Sequence, residues 1–466
     1  MRALAAAPVA YVLALILSKA AGFVMLPLVT STLSVADYAR LEVLASVADV
    51  AGMICGLGMA DAFYRFGAGG DAADRRRRQS ALLGCAVLAA VLLLALGQLG
   101  LSVAAGHGFE ATPAIRFLAV SVALTAAIEL PLGWLRVEGR AWRYATIFLL
   151  RTLLQCGIGA WLLIQGYGVN GLFAAAAIAD LTASVILVVL QGRAIGVRWP
   201  GATLAQALRY GGPLALGGIA GFALGSLDRW FLVAAVPALE LAHYGLAVKF
   251  GALVVVAMQP FGLWWYPRRL AVLNQSDGAV QSARAVGAGL TLLWCGAACV
   301  SALAPLAMRV LLPSDYLAAR EWVPYLAICF ALHETASLVN VGSYRGATGL
   351  KPMMVNWIGA AAALLGYAIA IPMIGAPGAI LATALAHGLR VALFLAIGRK
   401  TAPLDYPWRG PAIAIAVLLA LITLKPANAS LTEDLTFAGF ALLPLAALSL
   451  WAALPFLPAR NIRHAA

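Results

Sequence analysis

The chain has 466 residues, of which 63% are hydrophobic and only 11% are charged, with a mean hydropathy of +0.92. A soluble domain carries roughly 25% charged residues, so this composition excludes a soluble globular fold. Lys and Arg number 32 against 19 Asp and Glu, a formal charge of +13, and the distribution of that excess decides between nucleic acid, anionic lipid and membrane topology as its cause.

Apolar runs long enough to cross a hydrocarbon layer, about 17 to 25 residues each, follow one another from Ala7 to Leu457 with short polar breaks. They predict spans near residues 8–31, 40–62, 81–104, 114–135, 145–165, 171–191, 213–235, 244–266, 287–311, 322–343, 354–374, 378–397, 411–424 and 437–457. The run after Arg2 has the outline of a cleavable signal peptide, but Lys19 interrupts it and it continues to Leu33, so it is read as the first span. The expected fold class is therefore an all-α integral membrane protein of about fourteen transmembrane helices. With the amino terminus cytoplasmic, the inside loops collect Arg2, Arg65, the Arg75–Arg78 run, Arg136, Arg140, Arg143, Arg193, Arg198, Arg209, Arg268, Arg269, Arg284, Arg345, Lys351, Arg399, Lys400, Arg409, Arg460 and Arg463. The other side receives only Arg40, Arg116, Arg309, Arg320 and Lys425. That asymmetry is a topology signal; it places both termini in the cytoplasm and argues against a nucleic-acid partner.

The segment Gly166 to Asp180 lines up with Ile374 to His387, pairing Gly168 with Gly375 and Gly171 with Gly378. Tyr38 and Tyr244, and Glu129 and Glu334, recur at nearly the same offset. A duplicated six-span unit follows: a bundle over 1–200, a second over 201–400 in the same orientation, and two additional spans with a cytoplasmic tail over 401–466. Two pseudo-symmetric six-helix bundles plus two carboxyl-terminal helices suit a secondary transporter.

A charge at the bilayer centre costs about 2.5 to 3.5 kcal/mol, so unneeded ones are rare. The spans nevertheless hold Lys19, Glu42, Asp49, Glu129, Arg151, Asp180, Asp228, Arg229, Lys249, Glu334 and Arg390, with His333 and His387. Arg151 and Arg390 lie near cytoplasmic ends, where snorkelling and an inward-facing role are both open. Asp228 and Arg229 are adjacent and so point to different helix faces, which argues against a self-neutralising pair. Glu42 and Asp49 share a face, either for helix packing or along a polar path, and Pro131 beside Glu129 admits a kink as the alternative to function. His333 suits a proton relay, with a satisfied helix-interface histidine as the more ordinary reading. Lys19, Arg151, Arg229, Lys249 and Arg390 together exceed what packing asks for, and a basic cavity suits an anionic substrate such as a diphosphate.

Other chemistry is unsupported. There is no GxxxxGK[ST] phosphate loop, no large outside loop for acceptor binding, and no Cys/His metal spacing, so no enzyme activity, cofactor or metal is expected. Cys55, Cys85, Cys156, Cys295, Cys299 and Cys329 all sit in apolar stretches and read as small core residues.

Several local patterns carry a family likeness. Leu15 to Phe66 has a first span, a Leu-Ser-x-x-x-Tyr outer turn, and a second span ending in Gly-Leu-Gly and an Arg; Leu208 to Leu232 has Pro213 early and the Asp228–Arg229 pair; His243 to Leu253 has a Tyr at the start of the eighth span. In these the chain resembles the polysaccharide transporter branch of the multidrug/oligosaccharidyl-lipid/polysaccharide exporter superfamily, the O-antigen and exopolysaccharide flippases. It departs from the pattern at Ala39, a position often held by glycine, and at Asn356, where the eleventh-span Asn comes early. The resemblance implies a two-lobed helical fold with alternating access, flipping a polyprenyl-diphosphate-linked oligosaccharide across an inner membrane, driven by a proton or sodium gradient. By position it implies Lys19, Arg151, Arg229, Lys249 and Arg390 as the substrate-binding cations and Glu129, Asp180, Asp228 and Glu334 as ion-coupling groups. Its implied partners are membrane lipids and the polysaccharide polymerase and export machinery. The competing expectations are a lipid II flippase, a multidrug antiporter, which would be expected to show a more acidic and aromatic cavity, and, from another class, a membrane glycosyltransferase or O-antigen polymerase.

Overall fold

The computed structural model describes residues 2–56, 59, 63, 71–199, 201, 203, 205, 206, 209, 220–266, 268–344, 350–424 and 430–453. All regular structure among them is helical. By internal contacts the chain divides into two units, Met1–Ala242 and His243–Ala466.

The first unit holds α1 (Arg2–Thr32), α2 (Val35–Cys55), α3 (Ala72–Gly106), α4 (Pro113–Val137), α5 (Ala141–Ile164), α6 (Gly168–Ile195) and α7 (Asp228–Ala235). The unit boundary falls inside α8 (Ala238–Gly251). The second unit continues with α9 (Leu253–Trp265), α10 (Arg269–Leu273), α11 (Gly278–Leu311), α12 (Val323–Val339), α13 (Leu350–Ile374), α14 (Ala376–Thr401), α15 (Arg409–Leu424) and α16 (Leu431–Ala453). Short 3-10 turns at Ser314–Glu321 and Asn340–Tyr344 flank α12.

Eleven helical segments among the described residues are long and apolar enough to cross a membrane, which makes this a multi-pass membrane protein. One of them, Ala238–Gly262, is a single span built from α8 and most of α9. The expected second and thirteenth spans correspond to α2 and to α15, whose 16 residues rise about 24 Å. Of the expected seventh span, 213–219 lie outside the described residues, including Pro213; helix resumes at Ala220 and, after a turn at Ser226–Leu227, continues as α7. Leu57, Gly58, Arg65 and the end of the fourteenth span at 454–457 also lie outside them.

Polar residues mark the helix starts. The Ser34 hydroxyl accepts from the backbone N–H of Asp37 at 3.1 Å and donates to its carboxylate at 2.7 Å, capping α2. Asp71 caps α3 through the N–H of Asp74. At α16, Ser430 and Glu433 form a reciprocal capping box, each accepting the other's backbone N–H. In the first unit α4 packs against α6, α3 and α2, and α5 against α1 and α6; the core there gathers Phe63, Leu82, Leu83, Leu130 and Trp134. In the second, α11 packs against α12, α15 and α16 and α13 against α14, around Val254, Trp265, Leu293 and Phe394. Exposed Leu92, Leu96, Leu99, Phe440, Leu443 and Leu450 are the lipid-facing counterpart of these cores.

The paired glycines of the sequence do the same local work in each unit. Gly168 (φ 54°) opens α6 and Gly375 (φ 63°) precedes α14, both in the left-handed region that favours glycine. A Cβ on Gly171 would lie 2.9 Å from the Leu162 and Tyr167 side chains, and one on Gly378 only 2.3 Å from the Ala370 carbonyl oxygen. Each pair thus closes a tight helical hairpin, α5–α6 and α13–α14. Tyr38 and Tyr244, the matched tyrosines, are both fully buried.

Candidate functional site

The first unit gathers charge around α2. Glu42, Ser46 and Asp49 recur at helical spacing and so present one face. Arg229, buried at the start of α7, brings its Nε to 3.7 Å from Glu42 Oε2 and its Nη1 to 3.9 Å from Asp228 Oδ1. The same Asp228 oxygen accepts the backbone N–H of Arg229 at 2.8 Å, in the first turn where a carboxylate is favoured by the helix dipole. Adjacent residues that leave a helix on different faces are therefore brought within ionic range, because the short Asp228 side chain folds back on its own helix start. The Trp230 indole N–H donates to Ser46 Oγ at 2.9 Å and fixes α7 against α2. Lys19 of α1 and Asp49 are exposed in the same region, and Asp49 lies in the field of Arg229, Glu42 and Lys19. Three carboxylates and two cations make this a mixed cluster. Its cations come with acid alongside.

A second pairing lies in the α5–α6 hairpin. Arg151 Nε donates to Asp180 Oδ1 at 2.5 Å, with the carboxylate side chain 6% exposed and the arginine 32%. Arg151 thus packs against a neighbouring helix instead of extending along its own. Glu129, exposed on α4, lies close to the Gly56 end of α2.

The third cluster belongs to the second unit. Arg390 of α14 is buried, and its Nε and Nη2 donate to Asn356 Oδ1 of α13 at 3.1 and 2.9 Å. Its Nη1 donates to His387 Nδ1 at 3.0 Å and to His333 Nδ1 of α12 at 3.4 Å. This arginine is gripped in the interior and does not snorkel. Glu334, next to His333, accepts the Tyr266 hydroxyl at 3.4 Å and is within electrostatic reach of Arg390. Arg269 donates to Asn340 Oδ1 at 2.8 Å and stacks over Tyr344, its guanidinium carbon 4.4 Å from the ring centre. Lys249 is half-buried on α8.

The structure therefore distributes the expected site residues over separate groups: Lys19, Asp228 and Arg229; Arg151 and Asp180; Glu334 and Arg390. Sequence reasoning passed over Ser46, Tyr266 and Asp434, and gave no role to Asn356 or His387. The spacing of His387 and Arg390, three residues apart on one helix, was the available signal for the last cluster. Asp434, 1% exposed on α16, accepts from Arg309 Nε of α11 at 2.7 Å and ties α16 to α11. Near it an apolar cavity of about 650 Å3 is lined by Pro305, Tyr325, Ile380, Leu421 and Phe437, with Arg320, Glu321 and Asp434 as its charged members. No group of His, Cys, Asp and Glu among the described residues is arranged to hold a metal ion.

No protein-family model matches the chain, and no curated protein matches it in sequence. Solved structures match in fold. The lipid II flippase MurJ in its inward closed conformation is 12% identical with a TM-score of 0.73, over 95% of this chain and 99% of that one. The MATE multidrug transporter DinF-BH is 14% identical with a TM-score of 0.58, over 88% and 96%. An outward-facing multidrug resistance MATE family transporter of the MOP superfamily is 14% identical with a TM-score of 0.53, over 90% and 96%. These neighbours are transporters and flippases, and the chain has the all-helical membrane fold of MOP-type transporters.

Proposed function

We propose that this protein flips a polyprenyl-diphosphate-linked oligosaccharide from the cytoplasmic to the periplasmic leaflet of a bacterial inner membrane, for surface polysaccharide synthesis, by alternating access coupled to a proton or sodium gradient. The observation that carries the reading is Arg390: a buried guanidinium whose hydrogen bonds among the described residues end on the neutral acceptors Asn356, His333 and His387. Burying a cation this way is costly unless the charge is used, and an anionic headgroup uses it. Lys19 and Arg229 are the cations proposed for the substrate in the first unit, where they sit among Glu42, Asp49 and Asp228, while Asp228, Glu334, Asp180 and Glu129 remain the groups proposed for ion coupling. Arg151 and Lys249 keep their proposed place among the substrate-binding cations.

The physical need is plain. A glycan's hydroxyls and two phosphates cannot cross hydrocarbon unaided, because each unsatisfied polar group there costs several kcal/mol. A polar path with cations removes most of that barrier while the polyprenyl tail stays in lipid, and the apolar cavity beside α15 and α16 offers that tail a surface. The common hairpin geometry at Gly168 and Gly375 supports descent from a duplicated six-span unit, with 1–200 and 201–400 as the copies and 401–466 added. The arginine bias of the loops supports cytoplasmic termini.

A lipid II flippase is the second reading, favoured by the likeness to MurJ over nearly the whole of both chains. Deleting the gene in its native host separates the two: accumulation of a lipid-linked surface-polymer repeat unit supports the first, and accumulation of lipid II the second.

A further inference from the structure

Two imidazoles in the second unit face one guanidinium. Arg390 Nη1 contacts His387 Nδ1 from one turn earlier on α14 and His333 Nδ1 from α12, and the two rings stand edge to face with centroids 5.1 Å apart. Arginine has donors and no acceptor, so each nitrogen facing it presents a lone pair. A neutral imidazole that accepts at Nδ1 carries its hydrogen on Nε2, and the next proton it takes, from solvent, goes to Nδ1. That proton converts an acceptor into a donor and sets a second positive charge against the first, so a protonated ring and the Arg390 contact exclude each other.

The guanidinium has somewhere to go. Asn356 on α13 already holds its other edge, and the Glu334 carboxylate on α12 lies within electrostatic reach, as does Tyr344 after α12. Tyr266 donates to Glu334, and Arg269 lies over the rings of Tyr266 and Tyr344.

We propose that His333 and His387 form a proton-accepting site whose occupancy drives the Arg390 guanidinium off the imidazoles toward Asn356 of α13, loosening α12 against α14. Its use as the coupling step rests on the transporter reading, whereas the exchange of proton for guanidinium does not. The test is hydrogen–deuterium exchange on the purified full-length protein in detergent, without substrate, at about pH 7.5 and about pH 4, corrected for intrinsic exchange, the lower value chosen because a buried imidazole facing a guanidinium takes its proton only well below the ordinary histidine range. Peptides from α12 and α14 of the wild type are expected to exchange at least about threefold faster at the lower pH. The His333→Asn/His387→Asn double variant keeps acceptor oxygens that cannot take the proton, and should show no such rise. A wild-type protein without the rise, or a double variant that retains it, overturns the proposal. If the double variant does not purify as a monodisperse species, the single variants decide, each being expected to lose part of the rise and the proposal failing if neither does. Because no substrate is present, this result and the lipid analysis fail independently.

Discussion

Substitutions at Asn356 separate the structural from the functional use of Arg390. The Asn356 amide oxygen accepts from both Nε and Nη2 of Arg390, a residue that is 6% exposed. Hydrogen bonds to charged groups contribute about 1.5 to 3 kcal/mol, and stripping a buried charge of a partner costs about 3 to 5 kcal/mol. Since the two imidazoles remain, Asn356→Leu should destabilise by about 3 kcal/mol, the lower end of that range. Asn356→Asp is nearly the same shape but places a carboxylate in bidentate range, the geometry arginine favours. Its thermal unfolding midpoint should equal or exceed the wild type, while the local positive charge is cancelled. If an anionic headgroup uses that charge, Asn356→Asp loses surface-polymer export although it folds well, as measured by polymer yield beside thermal unfolding in detergent. Full export by Asn356→Asp refutes the reasoning about Arg390.

Three further outcomes follow from the geometry. Arg229→Ala removes a buried guanidinium from beside the buried carboxylates Glu42 and Asp228 and should cost about 3 kcal/mol of stability; Lys19→Gln, at an exposed position, should shift stability by less than about 0.5 kcal/mol while lowering export, so it is the cleaner functional test, read as polymer yield at equal protein level. A Cβ at Gly378 would collide with the Ala370 carbonyl whereas Gly388 has nothing within 4 Å, so Gly378→Ala should destabilise by about 1 to 3 kcal/mol and Gly388→Ala should not, in parallel melting curves. A double-mutant cycle on Arg309 and Asp434 should give a coupling of about 1 to 3 kcal/mol, reduced from the fully buried case because the arginine is partly exposed; a coupling near zero would show that the pair does not hold α16 to α11.

Much of the fold was legible because membrane spans announce themselves by length and composition, and because Gly168 and Gly375 are needed wherever the chain must turn with positive φ. Which charged residues lie inside the spans was legible, and how they pair was not. Charges inside apolar runs are conspicuous one at a time, but Arg151 meets Asp180, Arg390 meets Asn356 and Arg309 meets Asp434 across helix interfaces whose register no single run encodes. Polar residues without charge, such as Ser46 and Asn356, gave no warning of their roles. Glu42 and Asp49 share a face as their spacing requires, yet one is buried and the other exposed, a difference the spacing does not carry, because Glu42 is the one covered by Arg229 at the start of α7. Asp228 and Arg229 show the limit of face arguments: at a helix start, a short acid can turn to its own backbone and remain near its neighbour.

The flippase account is most directly tested by deleting the gene in its native host, extracting membrane lipids and measuring diphosphate-linked saccharides by mass spectrometry while quantifying surface polymer. The account predicts that surface polymer disappears and a complete repeat unit accumulates on its lipid carrier at the cytoplasmic face. Unchanged polymer and lipid intermediates, with new sensitivity to cationic drugs, would contradict it and make a multidrug antiporter of the same fold the better description.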